Sequence, residues 1–274
     1  MMFDHGGKIN DVYPWCAESS DLRGQEVSIT YSDTLSPSGF ALDSLLVRLA
    51  KDAQRDVFVL SLNRPKRHYE AVFRKNGLDF EALKRTGKID LYVLDMSSSS
   101  SSSSSCLQYR GNEDGTIIDI SSVEYNDSVA TSSSECWESI VAWISSKSLE
   151  INENAVLLID DLEMLNLIAG GHSDDRNVGM NFLYQLRSIF DRNPSFLLVT
   201  MGFDGVVYGE KGDISMTEYM KESSTISISI NPLASGYSSD CHGIIRIDYG
   251  LKIQLYKYKA LDSGIKCVEI LNSI

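Results

Sequence analysis

The stretch EVSITYSDTLSPSGFALDSLLVRLAKDAQRDVFVLSL, residues 26–62, decides the fold class. From Glu26 to Tyr31, Val27, Ile29 and Tyr31 alternate with polar residues, which is the period of a strand. Asp33 to Gly39 is turn and cap chemistry throughout. Leu42, Leu45, Leu46, Leu49 and Ala53 then recur at the spacing of one buried helix face, and Val57 to Leu62 is a short apolar strand. Strand, helix and strand in this order make a βαβ unit. Its right-handed crossover implies a parallel sheet with helices on its faces.

Working downstream, His68 to Asn76 and Asp79 to Thr86 read as a helical pair punctuated by Gly77 and Gly87, and Ile89 to Leu94 as a third strand. The alternation then stops. Ser97 to Ser105 is unbroken serine, and the polar, acidic stretch to Ser134 holds few aromatics beyond Tyr109 and Tyr125. Such a segment buries too little apolar surface to offset its ordering entropy, so residues 96–134 are expected to be a disordered insertion within one domain spanning 1–274. An inert spacer is the plain expectation for it; phosphorylation near Glu113, Glu124 or Glu135 is the functional one. The fold resumes with Trp137, Ile140, Val141 and Ile144 on one helical face. Asn154 to Asp161 and Ser195 to Thr200 are continuous apolar strands, which belong in a sheet covered on both faces, and Asn177 to Arg192 between them is a strong helix. A short helix near Met216 to Lys221 leads to alternating Thr225 to Ile230. His242 to Asp248 and Leu251 to Lys259 then form a hairpin about Tyr249 and Gly250, placed as antiparallel strands at the C-terminal sheet edge.

Composition narrows the function classes. At 274 residues, with 43% hydrophobic and 23% charged residues, the chain holds a sizeable core and is neither globally disordered nor collagen-like. Its longest aliphatic run, Ala155 to Ile159, is far short of a membrane span, and the N-terminal residues lack the apolar core of a secretion signal. Cys16, Cys106, Cys136, Cys241 and Cys267 are scattered and odd in number, which suits reduced cytosolic or nuclear thiols and disfavours a zinc site. A net charge of −13 argues against coating nucleic acid by bulk electrostatics. Locally, however, Arg64 to Lys88 holds eight basic residues against Glu70, Asp79 and Glu81. A solvated helix surface explains this patch; the functional alternative is a contact for RNA or an acidic partner through Arg64, Lys66 and Arg67.

A strand, loop and helix near the N-terminus, with a later apolar strand ending in Asp160 and Asp161, is the skeleton of a P-loop NTPase. A working phosphate loop needs G-x-x-x-x-G-K-S/T, because backbone N–H groups cradle the phosphates, the lysine neutralises them and the hydroxyl holds magnesium. Here Gly39 is the loop's only glycine, no lysine stands between Gly24 and Lys51, and Phe40 and Ala41 replace the Lys-Ser/Thr pair. Only a degenerate remnant, Ser36, Ser38 and Gly39, is left, so ordinary ATP hydrolysis and a catalytic residue set are not expected. Asp160 and Asp161 have the position of magnesium ligands; capping a helix that begins at Leu162 is the structural expectation. His172 with Asp174 and Asp175 reads as a solvated turn. Cys241 and His242, being adjacent on a strand, point to opposite faces and make a poor nucleophile pair. No metal site is expected.

Taken together, AVLLIDDLEMLNLIAGG (155–171), SFLLVT (195–200), NPLASGYSSDCHGIIRIDYG (231–250) and LKIQLYKYKA (251–260) resemble the family of Elongator complex subunit six. VFVLSLNRPKRHYEAVFRKNGLD (57–79) is similar to that family's segment after the second strand, including the His68-Tyr69 pair that opens its helix. The resemblance covers residues 20–95 and 134–270; the serine-rich insertion departs from it. It implies a RecA-like domain without a usable P-loop, and membership of a hexameric ring with subunits four and five. That ring joins the catalytic subunits in wobble-uridine modification of tRNA, binding and releasing the tRNA. By the same resemblance this chain is a non-catalytic pseudo-ATPase. It holds no cofactor of its own, since any ATP is bound in the assembled ring, and it is expected in the cytoplasm and also in the nucleus. The loop from Gly202 to Gly212 is an RNA-proximal candidate, with a plain surface loop as the other reading. An autonomous ATPase using Ser36, Ser38, Gly39 and Asp160, or a recombinase-like paralogue of the same fold, is the competing function.

Overall fold

The computed structural model describes residues 7–8, 25–32, 39–51, 56–93, 144, 155–162, 178–192, 197–203, 216–236, 238–261 and 264–270. In chain order these form β1 (Gly7–Lys8), β2 (Glu26–Tyr31), α1 (Phe40–Lys51), β3 (Val57–Ser61), α2 (Lys66–Lys75), α3 (Phe80–Arg85) and β4 (Ile89–Val93). There follow β5 (Val156–Ile159), α4 (Val178–Arg192), β6 (Leu197–Phe203), α5 (Met216–Ser223), β7 (Ile226–Pro232), β8 (Gly243–Tyr249), β9 (Lys252–Leu261) and β10 (Gly264–Glu269). The serine-rich insertion, the Gly202 to Gly212 loop beyond Phe203 and the helix expected around Trp137 lie outside the described residues, save for helical, buried Ile144.

The chain gathers into two compact units, Met1–Ala53 with Leu197–Ile274, and Gln54–Phe196. In the first, the strands lie in the order β1-β10-β9-β8-β7-β2-β6. β2 runs parallel to both β6 and β7, and the strands from β7 through β8, β9 and β10 to β1 are antiparallel neighbours. The expected antiparallel C-terminal edge is therefore present, and it is longer than expected by β10 and the short β1. Register puts Val27 beside Ile226 and Ile29 beside Ile228, with Ile247 beyond, so one side of this sheet is an aliphatic layer. All five are buried. The hairpin turns at Gly250, whose φ of +61° suits a residue without a Cβ. Gly243 is required for a different reason. A Cβ there would overlap the Asn231 carbonyl oxygen and lie 2.7 Å from Tyr258 Cε1.

α1 buries Leu42, Leu45, Leu46 and Leu49, the face that the periodicity marks, together with Ala41, Val47 and Ala50. Asp43 in its first turn and Arg48 and Lys51 in its last complement the helix dipole.

In the second unit the order is β5-β3-β4, all parallel. Val57, Val59, Leu60, Leu158 and Ile159 are each at most 1% exposed, as continuous apolar strands in a doubly covered sheet should be. α2 starts two residues earlier than the sequence suggests, after Pro65 at its N-cap, whose extended φ and ψ suit that position. Tyr69 and Phe73, one turn apart, are its buried pair, and the Phe73 ring lies 5.6 Å from Phe80 of α3. α3 is capped by Asp79, whose carboxylate accepts from the Ala82 N–H at 3.1 Å. α4 buries Phe182, Leu183, Leu186 and Ile189.

Candidate functional site

Parallel strands deliver their C-terminal residues to one edge, and in the second unit β3 ends there on Ser61 and β5 is followed there by Asp160. In an α/β sheet this edge is where ligands bind. Asp160 is 1% exposed. Its Oδ1 accepts from the backbone N–H groups of Leu62 and Asn63, the latter at 3.2 Å. Its Oδ2 accepts from the Ser61 hydroxyl at 2.7 Å and from the Tyr69 hydroxyl at 2.8 Å. Four donors therefore converge on one buried carboxylate, and all four belong to the β3–α2 segment.

The two hydroxyls reinforce each other. Tyr69 stands 3.0 Å from Ser61 Oγ, which lies 2.8 Å from the Arg64 carbonyl oxygen and accepts from the Arg64 N–H at 3.3 Å. Burial, and then the charge of Asp160, push the Tyr69 hydroxyl well above its ordinary value of 10.0. It stays protonated and donates to the carboxylate, the stronger acceptor of its two neighbours. Asp161 takes the only positive φ outside glycine among the described residues, +41°, which turns the chain sharply after the strand. Its Oδ2 accepts from Asn63 Nδ2 at 2.6 Å. Both strand-end acids thus close on the same loop.

This geometry extends one expectation. Asp160 ties down the loop after β3, some hundred residues away in sequence, a contact the expectation did not include; the helix expected to begin at Leu162 lies outside the described residues. Nor does Asp160 fit a magnesium ion. A cation needs carboxylate lone pairs directed at it, and those of Asp160 already meet four donors. Of the loop remnant, Ser36 and Ser38 lie outside the described residues, while Gly39 sits at the start of α1, its carbonyl accepting from the Asp43 N–H.

Arg64, Lys66 and Arg67 cluster at the start of α2 but meet different surroundings. Arg64 is half-buried, with Nη1 3.3 Å from His68 Nε2. Lys66 bridges Glu81 at 3.0 Å and Glu70 at 3.4 Å and lies over the Phe80 ring. The hydrogen bond to Glu81 foremost raises its ammonium above its ordinary value; burial opposes this, and Glu70 adds to the rise. Arg67 is exposed. A polyanion would therefore meet Arg67 directly, while Lys66 is engaged with two carboxylates. Cys241 and His242 precede β8 instead of lying on it, and they engage different partners: the thiol reaches the Gly243 carbonyl oxygen, and His242 Nδ1 accepts from the Ala260 N–H at 3.0 Å. Among the described residues no three His, Cys, Asp or Glu side chains form a metal-holding group, and no helix is long and apolar enough to cross a membrane. His172, Asp174 and Asp175 are outside those residues.

Sequence reasoning missed Ser61 and Tyr69. The available signal was a hydroxyl closing one parallel strand, an aspartate closing its neighbour, and a tyrosine in the first turn of the helix between.

No protein-family model matches the chain, and no curated protein matches it in sequence. Among solved structures, a KaiC-like protein from the hyperthermophilic archaeon Pyrococcus horikoshii OT3 superposes with a TM-score of 0.55 at 13% identity, covering 90% of each chain. It is one of 437 solved chains that match, so the likeness is to a populous fold. At that identity it carries the architecture and no activity. The chain is an α/β protein of RecA-like fold, with a parallel sheet extended by antiparallel C-terminal strands.

Proposed function

We propose that this chain is a non-catalytic ring subunit of the Elongator subunit six kind. In this reading it assembles with subunits four and five into a heterohexamer that binds and releases tRNA during wobble-uridine modification, in the cytoplasm or the nucleus. One observation carries the non-catalytic part. The acid that a RecA-like ATPase would present to magnesium is buried, and its two oxygens are engaged by Ser61, Leu62, Asn63 and Tyr69. The first loop, with no lysine between Gly24 and Lys51, supports the same reading. The chain then needs no cofactor of its own, and any nucleotide belongs to the assembled ring. Ring membership and tRNA rest on the sequence resemblance, with exposed Arg67 and its neighbours Arg64 and Lys66 as the contact surface.

The test is light scattering after gel filtration on the chain alone and co-expressed with Elongator subunits four and five, with ATP turnover and tRNA binding measured on each peak. A hexamer only in the co-expressed sample, with the isolated chain inactive, is the expected result. ATP turnover by the isolated chain revives the autonomous ATPase, and failure to co-assemble removes the Elongator assignment. Within an assembled ring, Ala at Arg64, Lys66 and Arg67 together weakens tRNA binding and lowers its salt slope; an unchanged slope removes the patch.

A further inference from the structure

The outward side of the antiparallel strands in the first unit differs in charge from the chain as a whole. Register sets Arg246 of β8 beside Leu255 of β9, and Lys257 and Lys259 of β9 beside Val268 and Lys266 of β10. Asp248, the one acid on this side of β8, β9 and β10, is held by Arg246 at 2.8 Å. Four basic groups against one acid thus stand on a single sheet side, in a chain whose net charge is −13. The same side exposes large aliphatic groups, Ile253 at 48% and Leu261 at 45%. The opposite side of the same strands is ordinary core, with Ile245, Ile247, Tyr256 and Tyr258 buried.

We infer that this basic and aliphatic sheet side docks an acidic, aliphatic protein surface on a neighbouring, non-identical ring subunit. The inference rests on the ring reading above and specifies which face the ring uses. Three physical arguments select the occupant. Sheet faces that take single-stranded nucleic acid offer aromatic platforms for the bases, and the described residues on this side of β8, β9 and β10 include no aromatic ring. Ile253 and Leu261 gain by leaving water only against another apolar surface, which a phosphate backbone does not provide. A second copy meeting this side by two-fold symmetry would set the basic patch against the same patch, and that like-charge contact is unfavourable. An acidic partner has both its charge and its aliphatic groups matched.

The test uses the full chain co-expressed with tagged Elongator subunits four and five. Lys257→Glu/Lys259→Glu is compared with wild type and with Lys51→Glu/Lys221→Glu, a charge-matched control at two helix-terminal lysines outside both basic patches. The double reversal on β9 is expected to weaken co-purification by about tenfold or more, with the control retained at wild-type level. Hydrogen exchange across residues 243–261 of the wild-type chain is expected to slow on assembly. That second measurement stands even if the reversal variant fails to fold. A variant that folds and is retained like wild type, or exchange unchanged in the wild-type ring, overturns the docking face and leaves the ring reading in place. Failure of the wild-type chain to co-purify removes the ring reading and this face together.

Discussion

Two buried polar clusters, one in each unit, satisfy their hydrogen bonds very differently. In the second unit Asp160 gathers four donors from a single loop and helix turn. In the first, Ser28 of β2 and Thr200 of β6 are register partners, 0% and 1% exposed, yet neither hydroxyl has a hydrogen-bond partner among the described residues. One step along, Thr30 does better, reaching Ser229 Oγ at 3.2 Å. The difference shows that burial of a polar group says little about its role. A charged acceptor inside a sheet has to be surrounded, and the segment that surrounds it is fixed in return; a small hydroxyl can stay where it fits between strands at a tolerable cost.

The sharpest way to break this contrast is Asp160→Ala. It leaves two backbone N–H groups without their acceptor and the two hydroxyls with only neutral ones, Tyr69 on Ser61 Oγ and Ser61 on the Arg64 carbonyl, and should cost about 3–5 kcal/mol in urea unfolding. Unchanged stability would return Asp160 to the list of free metal ligands. Tyr69→Phe removes one donor to the carboxylate and keeps the ring in its packing, for a loss of about 1.5–3 kcal/mol by the same measurement.

Tyr69 also gives the contrast a pH signature. Its hydroxyl is held above the ordinary 10.0, so the stability it contributes is complete below that pH. That contribution falls as the unfolded phenol ionises first, and it is lost as pH rises through the folded value. Denaturant midpoints taken upward from pH 10.0 should therefore decline more steeply in wild type than in Tyr69→Phe, and parallel curves would contradict the buried donor. The smallest effect belongs to the other cluster. Ser28→Ala deletes an unpartnered hydroxyl and should shift stability by less than about 1 kcal/mol in either direction. A loss as large as that of Tyr69→Phe would mean that Ser28 has a partner after all.

Legibility in the sequence followed the range of the interaction. β2, α1, β3 and α4 are marked by periodicities within a few residues, and the structure places them within two residues of the expected ends. β10 escaped notice because in GIKCVE the run Cys267-Val268 breaks the alternation begun by Ile265 and Lys266, and β1 is two residues long. The antiparallel edge was readable from the Tyr249-Gly250 turn. The role of Asp160 was not, since its partners Ser61 and Tyr69 lie 99 and 91 residues away and no local pattern connects them. The basic run from Arg64 to Lys88 could be counted from sequence. That Glu70 and Glu81 both engage Lys66, leaving Arg67 exposed, required the turn from α2 into α3.

The position of β2 has a consequence for how the chain comes into being. Both of its neighbours, β6 and β7, are encoded far downstream, with Glu26 aligned to Leu198 and Val27 to Ile226. On a ribosome adding about 5–20 residues per second, this strand emerges on the order of ten seconds before β6, its earlier neighbour. During that wait both of its edges are open to pairing with other nascent chains. Native β2 pairings also close very long loops, so they come late and slowly in refolding as well. Yield from cells should accordingly depend on chaperone capacity at early stages of synthesis, before the strand that completes the sheet has been made.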